Sequence, residues 1–105
     1  MKWQNFTEQL RTLDKTAINE ILNLMELKGV TEVDVTNQND EFDDVYAYCF
    51  DDEGHSAENI LITKVESQNG YIILVDDMGI EHTPIDFHDG TFPYIYNAVY
   101  YHLCG

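Results

Sequence analysis

The hydrophobic pattern turns on residues 60–75, ILITKVESQNGYIILV. Two runs rich in β-branched residues flank Asn69-Gly70 there, the strongest short hairpin signal a sequence offers. With Asn69 and Gly70 as the central residues of a type I′ turn, Gln68 faces Tyr71, Glu66 faces Ile73, Val65 faces Leu74 and Lys64 faces Val75. This register puts Leu61, Val65, Ile72 and Leu74 on one face. Ile60, Ile62, Tyr71, Ile73 and Val75 fall on the other, beside Lys64 and Glu66. Both faces are partly apolar, which predicts a hairpin central in its sheet and partly covered on two sides.

Upstream, Phe6, Leu10, Leu13, Ala17, Ile21 and Leu24 recur at helical spacing, with Ile18, Leu22 and Met25 widening the stripe. The pattern predicts an amphipathic helix over residues 6–28. Asn5 or Thr7 could cap its start, and Gly29 is placed for a left-handed C-terminal residue. Asp14 could instead cap a second helix after a break. Short alternating runs predict strands at 30–35 and 45–50. The second points Tyr46, Tyr48 and Phe50 to one face and Val45, Ala47 and Cys49 to the other. After a tight turn at Asp76-Asp77-Met78-Gly79, residues 80–85 read as an edge strand, because Pro84 cannot donate to a ladder. Sequential antiparallel strands pair as neighbours by default, so the sheet is expected to be a meander.

The closing stretch, TFPYIYNAVYYHLCG, places Phe92, Ile95, Tyr96, Val99 and Leu103 on one helical face, with Thr91 as cap and Pro93 in the first turn. It holds four tyrosines and no Asp, Glu, Lys or Arg. A helix without charge on its outer side, in so acidic a chain, is expected to be covered on both sides. Tyr94 and Tyr101 are then candidate contacts of a homodimer. A strand over residues 92–103, or a plain tyrosine surface, stays open. The fold expected is therefore α+β: an N-terminal amphipathic helix, a mostly antiparallel β-meander of about five strands, and a C-terminal helix packed on the sheet.

Charge changes this picture most. The 105 residues make one domain with 20 acidic and 5 basic side chains and a formal charge of −15. Self-repulsion of that size opposes compaction and argues against direct binding of nucleic acid or anionic membrane, whose phosphates are met by Lys and Arg. With no apolar run of membrane-spanning length, the expected location is cytoplasmic. No Lys or Arg occurs between Lys28 and Lys64, where Glu32, Asp34, Asp40, Glu41, Asp43, Asp44, Asp51, Asp52, Glu53 and Glu58 all fall. In a meander the turns after Phe50 and Val75 share one end of the sheet, which would bring Asp51, Asp52, Glu53 and His55 toward Asp76 and Asp77, with His82 nearby.

Three readings of that end compete: ordinary solvated turns, a docking patch for a basic protein partner, and a divalent-cation site. The docking patch would use Asp51, Asp52, Glu53, Asp76 and Asp77. The cation site would draw on His55, His82, Asp51 and Asp76. A calcium loop is not matched, since Gly54 is misplaced and no glutamate closes the pattern. Zinc, Walker and nucleophile-elbow motifs are lacking, and Asp86-Phe87-His88 has no nucleophile beside it in sequence. Cys49 reads as a core residue and Cys104 as a terminal thiol. The sequence thus points to a non-catalytic interaction protein with no cofactor, comparable in its physics to an immunity protein, antitoxin or nucleic-acid mimic. A divalent-metal module or metal-dependent enzyme, or a self-associating structural protein, are the alternatives.

Overall fold

The computed structural model describes residues 10, 12–37, 43–50, 56–88 and 90–105, with the backbone alone for Phe50 and residues 56–58. The hairpin forms as its turn residues dictate. Asn69 and Gly70 take φ of 54° and 82°, the left-handed pair a type I′ turn needs. Strands β3 (Ser56–Gln68) and β4 (Tyr71–Asp76) pair in the expected register, Gln68 with Tyr71 through Lys64 with Val75.

One residue then shifts the pattern. Between Ile62 and Lys64 the ladder carries a bulge, so Ile62 faces Asp76 and Thr63 is the extra residue. The Thr63 hydroxyl donates to the carbonyls of Val75 (3.3 Å) and Asp76 (3.1 Å), which holds the bulge in place. Past this point the faces exchange. Ile60 and Ile62 turn to the side of Val65, Ile72 and Leu74, and Leu61 joins Lys64, Ile73 and Val75, the reverse of the expected assignment for these three residues.

The other strands are β1 (Glu32–Asp34), β2 (Val45–Phe50) and β5 (Glu81–His82), and every pairing is antiparallel. β1 and β2 lie end to end on the same edge of β3, against Lys64–Glu66 and Ser56–Ile62 respectively, where a strict meander would put β1 outside β2. At 13 residues, β3 is long enough to seat both. β5 is shorter than the run at 80–85 predicted. Pro84 starts a 3₁₀ turn, Pro84–Asp86, in which Asp86 accepts from the Thr83 N–H and hydroxyl (both 3.2 Å). The chain then returns to β2, where Phe87 bridges Cys49 and the His88 N–H donates to the Tyr48 carbonyl (3.1 Å).

Helices α1 (Thr12–Lys28) and α2 (Thr91–Cys104) pack on each other and on one face of the sheet. Residues 92–103 are therefore helix, and the second sheet face is covered by no described helix. Ala17, Ile18, Ile21 and Met25 from α1 meet Phe92, Ile95, Ala98 and Val99 from α2 over Val33, Val45, Ala47, Ile62, Val65, Ile72 and Leu74. The buried stripe of α1 is rotated from the expected one. Leu13 is 62% exposed and Asp14, its neighbour, only 2%. The Asp14 carboxylate accepts the Gly90 N–H (3.1 Å) and the Phe92 N–H (3.2 Å) and so caps α2 from across the core. Thr91, the cap expected from sequence, instead donates its hydroxyl to the His88 carbonyl (2.6 Å). The predicted left-handed end of α1 is present, with Gly29 at φ 69° and the Val30 N–H bonded to the Met25 carbonyl (3.0 Å).

Candidate functional site

The turn after β4 is built by one carboxylate. Asp76 shares the parity of Ile72 and Leu74, so its side chain points inward and is 6% exposed. Its Oδ1 accepts the N–H groups of Met78 (2.8 Å) and Ile80 (2.9 Å), and its Oδ2 lies 2.9 Å from His82 Nε2. Gly79 supplies the positive φ, 80°, that closes the turn, and the Gly79 N–H returns to the Asp76 carbonyl (3.0 Å). Burial pushes the Asp76 carboxyl up, but the hydrogen bond from His82 and those from the Ile80 and Met78 amides outweigh it. The group is held below the usual aspartate value.

His82 sits opposite Leu74, with its ring edge-on to Phe87 at 5.6 Å. Its Nε2 is engaged by Asp76, which leaves the pair oriented but inward-facing. Asp77 differs in every respect. Its side chain is exposed and bonds to none of the described residues, while its N–H is anchored to the Leu61 carbonyl (3.1 Å). The adjacent cleft, of about 390 Å³, runs past Tyr46, Leu61, Asp77, Met78, Ile80 and His82. Met78 is 80% and Ile80 52% exposed, so the cleft pairs an exposed carboxylate with apolar wall. No lysine, arginine, serine, threonine or cysteine lines it among the described residues. Such a surface suits a cationic head on an aliphatic stem.

Of the residues picked from sequence, Asp76, Asp77 and His82 are together. Asp76 serves the turn, and Asp77 is the one that presents its charge. Asp51, Asp52, Glu53 and His55 lie outside the described residues. Their connection leaves the ladder at Phe50 and Ser56, six positions beyond Ile62, which faces Asp76. At roughly 3.3 Å per residue that is about 20 Å along the strand. Among the described residues no group of three His, Cys, Asp or Glu side chains is placed to hold a metal ion.

Tyr94, 48% exposed, and the half-buried Tyr101 border a separate depression of about 270 Å³ with Asp43, Val45, Asn97 and Ala98. Cys49 is buried and Cys104 exposed. Met78, Ile80 and Asn59, which also line the cleft, carry no motif in the sequence that marks them as part of a site. Two large apolar residues flanking a turn glycine beside Asp77 were the available signal.

None of the described helices is long and apolar enough to cross a membrane. Comparison with protein-family models, curated proteins and solved structures gives no match for this chain.

Proposed function

We propose that this protein is a non-catalytic interaction protein that engages a basic protein partner through carboxylates at one end of its sheet. In physical terms it resembles the immunity, antitoxin or nucleic-acid-mimic proteins that mask a cationic surface. The observation that carries the reading is Asp77. It is an exposed carboxylate on a turn fixed by Asp76, beside the apolar side chains of Met78 and Ile80, in a chain of charge −15. Clustered charge steers a cationic partner and raises its on-rate, and exposed apolar surface beside the charge adds area that water leaves on docking. Asp51, Asp52 and Glu53, on the connection between β2 and β3, belong to the acidic stretch between Lys28 and Lys64 and extend the proposed patch along β3.

The test is capture of a basic protein from the source lysate by two variants of equal net charge. One neutralises Asp51, Asp52, Glu53 and Asp77 to the corresponding amides, and the other neutralises Glu20, Glu26, Glu32 and Asp43, which are exposed elsewhere. The first is expected to lose the partner and flatten the salt dependence of binding, the second to keep both. Equal loss would mean bulk charge alone, and unchanged capture by the first would refute the reading.

A second reading rests on α2. Tyr94 and Tyr100 are 48% and 49% exposed on a helix with no charged Asp, Glu, Lys or Arg. The helix adds no carboxylate of its own to the self-repulsion of the chain, which supports a homodimer through Tyr94 and Tyr101.

A further inference from the structure

β3 outruns the strand beside it. It is paired along one edge as far as Ser56, whereas on the other edge β4 stops at Asp76, opposite Ile62. The turn held by Asp76 then carries the chain away, and five positions of β3, Ser56 to Ile60, extend past it. At about 3.3 Å each they leave a notch roughly 16 Å long.

The direction of the main-chain groups in this notch follows from two hydrogen bonds. The Leu61 carbonyl accepts the Asp77 N–H, so Leu61 turns its main chain away from β2. Alternate residues of a strand point the same way, so the N–H and C=O of Asn59 also face the notch. The opposite strand agrees, because Tyr48, which faces Asn59, sends its own carbonyl outward to His88. Among the described residues no hydrogen bond reaches the Asn59 main chain on that side. Strand edges are ordinarily blunted by lysine, proline or a bulge; the ladder with β2 is bulged between Glu58 and Ser56, and the regular stretch from Glu58 to Leu61 contains none of the three. The cleft of about 390 Å³ lies along this edge.

We propose that an extended segment of the basic partner adds as a strand to the edge of β3 at Asn59 that no described strand pairs, running on from the end of β4. It exchanges main-chain hydrogen bonds with Asn59, seats apolar side chains on Leu61, Met78 and Ile80, and brings a cationic side chain to Asp77. Charge selects this occupant. A second copy of the chain would bring another −15 to the same edge, whereas a cationic strand meets Asp77 and no lining lysine or arginine. The mode of docking rests on the reading that the partner is basic.

The experiment is an amide NMR titration of the full-length ¹⁵N-labelled protein at low ionic strength. One probe is a short capped peptide alternating lysine and valine, and the other is its twin N-methylated at every peptide bond. The first is expected to shift the Asn59 and Leu61 amides and slow the hydrogen exchange of Asn59, binding more tightly than its twin by about tenfold or more. Asp77→Asn should weaken it severalfold while the Asn59 shift persists at saturation. Equal binding of both probes, with shifts confined to Asp77 and its neighbours, overturns strand addition and leaves the carboxylate reading standing. No binding of either probe overturns both. Shifts at Asn59 that grow with protein concentration alone assign the edge to a second copy and overturn the basic occupant.

Discussion

Replacing Asp76 with alanine tests whether this carboxylate builds the site or binds through it. The side chain accepts two amide hydrogen bonds and one from His82 while 6% exposed. Hydrogen bonds to a charged group contribute about 1.5–3 kcal/mol each, but the three share one acceptor and do not add in full. Truncation also leaves the Met78 and Ile80 amides without their partner, so a net loss of about 3 kcal/mol is expected. For 105 residues the unfolding entropy is about 0.2 kcal/mol/K near the midpoint, which converts that loss to roughly 14 °C in Tm. Asp76→Asn keeps an acceptor for the two amides and should lose about half as much. Asp77→Asn should leave stability near that of the wild type.

The acid limb adds a second signature to the same experiment. Because the native Asp76 carboxyl is held below its ordinary value, its stabilisation is fully present above the unfolded value near 4. It is lost as pH falls through the lower native one. The stability gap between wild type and Asp76→Asn should therefore be constant at neutral pH and shrink below about pH 4. Urea unfolding monitored by circular dichroism across that range measures both effects. A loss for Asp76→Ala no greater than for Asp77→Ala, or a gap that widens on acidification, would refute the reasoning.

Two further outcomes follow from the helices. Asp14→Ala removes the acceptor of two amides at the start of α2 and should cost about 2 kcal/mol, with faster hydrogen exchange at Gly90 and Phe92. Thr91→Ala should cost less and leave those two amides protected, since its hydroxyl bonds elsewhere. If α2 forms a homodimer contact, sedimentation equilibrium should give a mass that rises with concentration toward twice 12.2 kDa, and Tyr94→Glu should abolish the rise. A monomeric mass at every concentration rules that contact out.

Local physics accounts for most of what was legible in the sequence. The Asn-Gly turn dictates a left-handed pair, and with it the hairpin register; period-2 and helical spacing mark out β2 and the helices; Pro84 marks β5 as an edge strand. Each depends on residues a few positions apart, and the α+β class follows from their order. The acidity and its concentration between Lys28 and Lys64 are likewise plain from sequence alone.

What the sequence did not contain was decided by residues far apart in the chain. Thr63 becomes a bulge only because β4 and its turn must meet β3 with Asp76 opposite Ile62, and that one extra residue moves Ile62 into the core and Ile60 against it. Asp14 reads in sequence as a possible cap of its own segment, and it caps α2 instead because the fold brings to it amides 76 and 78 positions later. The difference between Asp76 and Asp77, adjacent and chemically identical, is one of direction: the pleat turns the first into the core to hold its turn and leaves the second in solvent. The notch beside Asn59 is likewise a mismatch of strand lengths, visible only once β3 is paired on both edges. Spacing along a chain reveals which groups can share a face, but which of them meet a partner depends on packing across the whole domain.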